Sequence, residues 1–347
     1  LFDFFAVTNR GIENICAAEV AQLRGAHHIR TGYRRVHGAY SGAAADLLTL
    51  RTVDDVFIYL ADWQGIGPHR STLPLLQELA LDLDLWQAVN VRSQLQPLRD
   101  EPAFSVSANF VGRRNYSSDE IKEAIARSVE QITGWRYTED DRQGEINLRV
   151  FIEHESALVG MRLGASPLYK RTYKQEHLAG SLKPSVAAAL VFLAQPTAGQ
   201  RVLDPCCGVG TILIEAAALG VNAVGGDQDA SAVAAAQTNA TQAGVTIDVQ
   251  KWDARSLPLT DASVEHVVCN LPWGRQVEVN SELEEFYQSV CAEIERVHHP
   301  SGKIVLLTSL PHLLRFSKHT IQEQIEISLF GQQPTIVVAG AESHAID

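Results

Sequence analysis

The chain is poor in cysteine, in long apolar runs and in positive charge, and each shortage closes off a class of protein. Its five cysteines, Cys16, Cys206, Cys207, Cys269 and Cys291, are scattered over 347 residues without any C-x-x-C spacing. An odd, dispersed set of this kind argues against a disulfide framework or a zinc site. The vicinal pair Cys206-Cys207 has two readings, redox chemistry or small residues packed beside a glycine turn. No apolar run reaches the ~20 residues that cross a bilayer, and the opening Leu1-Phe2-Asp3-Phe4-Phe5 has no basic n-region. A cytoplasmic chain with no membrane partner and no metal is therefore expected. The formal net charge of −12 is the wrong sign for a protein that gathers nucleic acid by bulk attraction.

The distribution of charge says more than its sum. From Ser185 onward there are 8 basic and 18 acidic residues, against 21 and 23 in the first 184. Between Gly160 and Pro184 five basic residues (Arg162, Lys170, Arg171, Lys174, Lys183) face one acidic residue, Glu176. A local basic strip on an acidic protein suits a defined polyanion footprint better than indiscriminate binding. The length itself calls for two or three domains, each able to bury a core.

What the chain does contain is concentrated between Val202 and Trp273. A strand-like run ends in Asp204-Pro205-Cys206-Cys207-Gly208-Val209-Gly210-Thr211 and feeds a helix over 211–219. Gly208 and Gly210 let backbone amides approach a ligand that a β-carbon would exclude. The third glycine of a dinucleotide fingerprint is missing, since Leu213 stands at its place, and no Gly-Lys-Ser/Thr follows. A nucleoside-like ligand without phosphates remains, at the carboxyl ends of strands in an open α/β sheet. The next strand, 223–227, ends in Asp227, placed to grip ribose hydroxyls, with Gln228 beside it. A third strand, 246–250, leads to Asp253 and Ala254, where the carboxylate can accept from an adenine amino group. The fourth, 264–269, carries Asn270-Leu271-Pro272-Trp273 at its tip.

Asp204-Pro205-x-Cys207-Gly208-x-Gly210-Thr211 followed about 60 residues later by Asn270-Leu271-Pro272-Trp273 resembles the S-adenosylmethionine (SAM) methyltransferases that modify exocyclic amines of nucleobases. The whole chain resembles the THUMP-domain RNA guanosine N2-methyltransferases. The resemblance implies SAM as cofactor, held by Ser181, Leu182, Asp204, Cys207, Gly208, Gly210, Thr211, Asp227, Gln228, Asp253, Ala254 and Asn270. It implies a catalytic tip of Asn270, Leu271, Pro272 and Trp273, and RNA as partner, with the acceptor stem of tRNA the expected substrate. Methylation of 23S rRNA guanine or of adenine N6, and a non-catalytic RNA-binding role, stay open as alternatives. The modified position, the number of methyls and the oligomeric state, expected monomeric, are not encoded legibly.

Earlier in the chain, strands at 2–8, 28–33 and 36–41 around a helix at 11–23 open as β-α-β-β, with a second helix at 43–50, a strand at 55–61 and helices at 73–81 and 85–91. That order predicts a ferredoxin-like α+β domain over 1–95. A strand at 103–111, a basic loop, a helix at 118–133 capped by Ser117 and Glu120, and a hairpin at 146–153 and 157–163 fill 96–166, which the resemblance makes a THUMP RNA-docking domain. Arg113, Arg114 and Tyr116 in its loop suit phosphate contact and base stacking, or form an ordinary solvated loop. Residues 167–185, with Lys170, Arg171 and Lys174 interleaved with aromatics, read as an RNA-contacting linker. The methyltransferase domain, 186–347, is expected to be a seven-stranded Rossmann-like sheet. After Trp273 it continues with a helix at 281–297, a strand at 303–309, a helix at 311–319, a closing strand pair at 326–330 and 335–339, and a frayed tail at 340–347. His266, His298 and His299 are read as surface or helix-end residues.

Overall fold

The computed structural model describes residues 1–178, 180–273 and 281–341, without the side chain of residue 281; the end of the expected tail, 342–347, lies outside them. The chain divides into two compact units, and the division is not linear. One holds Leu1–Val7, Val20–Leu50 and Asp55–Leu168; the other holds Thr8–Glu19, Arg51–Asp54 and everything from Tyr169 onward.

The first unit is built on a single eight-stranded sheet. Its strands are β1 (Phe2–Val7), β2 (Ala26–Gly32), β3 (Arg35–Tyr40), β4 (Asp55–Gln64), β5 (Ala103–Phe110), β6 (Arg136–Tyr137), β7 (Ile146–Glu153) and β8 (Ser156–Arg162), in the order β2-β3-β1-β4-β8-β7-β5-β6. The strands of 1–95 and of 96–166 thus run into one another through the antiparallel β4–β8 pair. At that seam the Arg162 guanidinium bonds to Asp55 at 2.8 Å, both side chains under a tenth exposed. Helix α1 (Glu13–Ala21), most of which belongs to the second unit, precedes β2 in the chain, and α2 (Thr72–Leu81), α3 (Leu85–Ser93) and α4 (Ser118–Thr133) follow β4 and β5. The start of α4 is the capping box its sequence announces: Ser117 Oγ accepts the Glu120 amide and the Glu120 carboxylate accepts the Ser117 amide. Its stop is Gly134 at φ 76°, a left-handed residue that only glycine adopts without cost. Ile121, Ala124, Ile125, Ser128 and Val129, spaced three and four apart, are its buried face. Residues 44–49 form a 3₁₀ helix instead of the expected α-helix.

The second unit is the doubly wound sheet. Helix α5 (Pro184–Ala194) leads into β9 (Arg201–Asp204), α6 (Thr211–Ala217), β10 (Asn222–Asp227), α7 (Ala230–Ala243), β11 (Asp248–Lys251), β12 (His266–Asn270), α8 (Ser281–Val297), β13 (Ile304–Thr308), β14 (His319–Glu326) and β15 (Thr335–Ala341). The strand order β11-β10-β9-β12-β13-β15-β14, with β15 antiparallel to both its neighbours, is the Rossmann-like methyltransferase sheet. Strands β9, β12 and β13 are parallel and nearly wholly buried, which is why they read as continuous apolar runs.

Two sequence expectations fail at the carboxyl end. The helix expected at 311–319 is a 3₁₀ turn, Pro311–Leu313, and the strand expected at 326–330 is instead β14 at His319–Glu326. The cause is local. β14 is a sheet edge with most side chains exposed, so it carries no apolar alternation, and Ile321 and Ile325 stand four apart like helix neighbours. A bulge between Ile321 and Glu323 breaks its register further.

Candidate active site

Strand β12 lies directly beside β9, with His266 opposite Val202 and Val267 opposite Leu203, so the glycine elbow and the Asn270 tip emerge next to each other at one end of the sheet. Asp204 closes β9. Its carboxylate accepts the Cys206 amide at 3.2 Å and hydrogen-bonds with the Cys269 thiol, and it is 1% exposed. Burial raises its pKa to about 7, against the pull of those two hydrogen bonds. Asp204 therefore organises the turn from beneath and has no surface to offer a ligand. The Cys207 amide crosses to the Gly226 carbonyl at 2.9 Å. The Gly208 amide donates to Asp227 Oδ2 and the Asp229 amide to Oδ1, each at 3.0 Å. One carboxylate thus pins the elbow and the end of β10 while keeping a free lone pair on each oxygen.

The elbow is shaped to receive something. Gly208 and Gly210 sit at φ 50° and 77°. A β-carbon on Gly210 would come within 2.9 Å of Ala236 Cβ, whereas one on Gly208 would meet nothing within 4 Å. The hydroxyl oxygens of Ser181 and Thr211 are both sealed from solvent without a hydrogen-bond partner among the described residues. Buried hydroxyls are normally satisfied; two orphans among the residues expected to hold the cofactor fit a polar ligand at this end of the sheet. Trp252 packs instead of lining an open face: its indole N–H donates to the Pro205 carbonyl at 3.0 Å and it is 7% exposed. Asp253 is held by Arg255 through contacts of 2.6 to 3.1 Å, and those hydrogen bonds hold its carboxyl below the ordinary range. Ala254 and Leu182 are buried, and Gln228 is exposed.

At the other tip, Asn270 Oδ1 accepts the Trp273 indole N–H at 3.1 Å. The Leu271 amide donates to the Leu307 carbonyl at 3.0 Å. The Pro272 carbonyl accepts the Tyr287 hydroxyl at 3.0 Å. The carboxamide oxygen has a second lone pair left for an incoming N–H.

The segment from Tyr169 to Lys183 is strapped onto this unit by groups that pattern reading missed. Asn239, fully buried, accepts the Gln175 and Glu176 amides through Oδ1 at 3.1 and 3.0 Å, and donates to the Glu176 and Val209 carbonyls at 3.2 Å each. It ties the strap to the glycine elbow. Glu215, with no side-chain exposure, accepts Arg51 Nε at 2.8 Å, Arg171 Nε at 3.3 Å and the Tyr173 hydroxyl at 2.7 Å. Asp54 accepts the Lys183 ammonium and the Ser185 hydroxyl at 2.5 and 2.6 Å.

These bonds correct part of the expected RNA set. Arg171 is an internal brace, and Lys174 donates to the Leu182 carbonyl with its pKa lowered to about 8 by burial. In the first unit Arg114 donates to the Ile66, Gly67 and His154 carbonyls. Tyr116 is 4% exposed and its hydroxyl donates to the Gly67 carbonyl at 2.7 Å, so its ring offers a base no face. Arg113 and Lys170 remain exposed. His266 lies in β12 and is buried, at 5% exposure, and His298 stands at a helix end as expected but is 2% exposed. His298 follows the last residue of α8 and meets His319 at 2.9 Å, and burial lowers its pKa to about 4.

Comparison with known proteins agrees with this geometry. The chain is 29% identical over 318 residues to a tRNA (guanine(6)-N2)-methyltransferase of Thermus thermophilus, covering 89% of this chain and 90% of that protein. It is 30% identical over 243 residues to the U6 snRNA (guanine-N(2))-methyltransferase THUMPD2 of Mus musculus, of which it spans only 43%. The crystal structure of TrmN from Thermus thermophilus superposes with a TM-score of 0.80 at 25% identity, over 98% of this chain and 100% of that one. Residues 171–326 match the family described as UPF0020, RMKL-like methyltransferase domain, and the elbow, the Asn270 tip and the strap from Arg171 onward fall inside that match: this part of the chain is a methyltransferase domain.

Proposed function

We propose that the protein transfers a methyl group from SAM to the exocyclic N2 of a guanosine in structured RNA, with tRNA as the substrate. The observation that carries the reading is the adjacency of the two tips, which sets a carboxamide oxygen and a proline-stiffened carbonyl beside the elbow suited to the cofactor. When bound, SAM would supply an electrophilic methyl on a sulfonium, with Ser181, Thr211 and Asp227 to hold it. The protein's own task is to make a delocalised amine nucleophilic. Asn270 Oδ1 and the Leu271 carbonyl accept its two N–H bonds, which pulls the nitrogen toward tetrahedral geometry and aims its lone pair. Pro272 has no N–H and a fixed φ, which stiffens the rail. The ring of Trp273 stacks the flipped-out base, worth ~1–3 kcal/mol, which offsets part of the few kcal/mol that extrusion costs.

The nitrogen–carbon bond forms as the carbon–sulfur bond breaks, and the amine's extra proton leaves to water, so no strong base is needed. Alignment supplies most of the acceleration, on the order of 7–11 kcal/mol. The names of the relatives support guanine N2 and an RNA substrate, and the Thermus protein's name supports tRNA. Residues 96–166 serve in this reading as a THUMP docking module, with Arg113 and Lys170 on phosphates. The test is to incubate the protein with labelled SAM and separate pools of tRNA, ribosomal RNA and small nuclear RNA, then digest to nucleosides. N2-methylguanosine in the tRNA pool, lost in Asn270→Ala while S-adenosylhomocysteine (SAH) still binds, is expected. N6-methyladenosine as product, or full activity in Asn270→Ala, overturns the assignment.

A further inference from the structure

Tyr287 lies on α8, 1% exposed, and Thr308 ends β13, fully buried. Neither belongs to the elbow or to the tip. Their oxygens are 2.7 Å apart, Tyr287 Oη is 3.0 Å from the Pro272 carbonyl, and Thr308 Oγ1 is 2.9 Å from the Leu310 amide. The proton directions are forced. A carbonyl only accepts, so the single phenolic proton goes to Pro272; Thr308 must then donate to the phenol oxygen, and its own oxygen accepts the Leu310 amide. The result is a one-way chain from Leu310 through Thr308 and Tyr287 to Pro272, in a dry setting where such bonds reinforce one another. Burial pushes the phenol up to about 12, so it stays a donor across the physiological range.

The place where this chain ends matters. The Leu271 amide is already fixed on the Leu307 carbonyl at 3.0 Å, and the ring of Pro272 fixes the next φ. Anchoring the Pro272 carbonyl leaves the peptide between those two points, which carries the Leu271 carbonyl, no free rotation. We infer that Tyr287, oriented by Thr308, is a positioning residue for methyl transfer: it sets the direction of the Leu271 carbonyl and the placement of Trp273 on Asn270. The inference rests on the reading of Asn270-Leu271-Pro272-Trp273 as the grip on the amine.

The test uses Tyr287→Phe, Thr308→Val and Thr308→Ser in the full chain. Tyr287→Phe is expected to lower kcat by about tenfold to a hundredfold, the scale of a misplaced reactive group, with KM for RNA and Kd for SAH within about twofold. Thr308→Val is expected to follow it in part, and Thr308→Ser, which keeps the hydroxyl, to restore most of the rate. A second readout is independent of activity. The Trp273 indole N–H resonance, assigned with Trp273→Phe, is expected to shift and to exchange with solvent at least about tenfold faster in Tyr287→Phe, because a bond held in place by its surroundings opens more often once they loosen. An unchanged indole resonance, or an unchanged kcat in active folded Tyr287→Phe, overturns the inference. An inactive wild type with a displaced resonance in Tyr287→Phe instead refutes the reaction and leaves the positioning intact.

Discussion

Glu215→Gln is the most demanding test of how the strap is held. The substitution changes one oxygen to an amide nitrogen and removes the charge that two guanidinium groups and a phenol share. Glu215 has no exposed side-chain surface, and Arg171 has 16%, so water cannot replace what is lost there. Arg51 is 29% exposed and is partly resolvated. Removing one member of a buried ion pair costs about 3–5 kcal/mol, and allowing for the hydration of Arg51 the expected loss is roughly 2–4 kcal/mol. For a unit of this size that corresponds to a fall in Tm of roughly 4–16 °C. Urea unfolding should show a lower midpoint at unchanged slope, and amide exchange should quicken at Gln175 and Glu176 before it does in β12. The strap carries Ser181, so SAH affinity should drop as well. A loss below about 0.5 kcal/mol, the range of an ordinary surface substitution, would refute the idea that this charge cluster holds the strap.

Two further outcomes are expected. Asp204 keeps its proton to about pH 7 in the folded chain but releases it near its ordinary value, about 4, when unfolded. Its contribution is therefore complete below about pH 4 and is lost as the pH rises to about 7. Measured urea midpoints should consequently fall with pH more steeply in wild type than in Asp204→Asn across that window, and parallel curves would contradict the assignment. Arg113→Ala and Lys170→Ala should weaken RNA binding and flatten its salt dependence with little change in Tm, whereas Arg114→Ala should lower Tm. A stable Arg114→Ala protein with selectively lost RNA affinity would reverse the placement given above.

The two neighbouring tips were legible as strand ends because each is written contiguously: a strand end and its turn stand within eight residues at Asp204 to Thr211 and within four at Asn270 to Trp273. The capping box of α4 was legible for the same reason. What escaped was whatever joins distant positions. Asn239 sits in the polar stretch from Gln237 to Gln242 of an alanine-rich helix, with nothing to mark it. Glu215 did leave a signal, a lone carboxylate in the apolar run Thr211–Ala217, but its partner Arg51 stands 164 residues away. Tyr116 and Arg114 resembled a basic aromatic loop because composition does not show which way a ring faces. β14 escaped because edge strands lack the alternation that burial imposes.

The interleaved boundary of the second unit has a consequence for synthesis. Arg10 offers its carbonyl to the Ser328 amide at 2.9 Å, so the segment that holds Arg10 is joined by one synthesised 318 residues later. At ~5–20 residues per second, translation separates the two by roughly fifteen to sixty seconds. Throughout that interval the segment that carries Ile12, Ile15 and Cys16, at most 5% exposed once folded, lacks the Ser328 partner of Arg10. Chaperone demand should therefore fall on the nascent segment around Ile12, Ile15 and Cys16, before the last strands of the second sheet have been made.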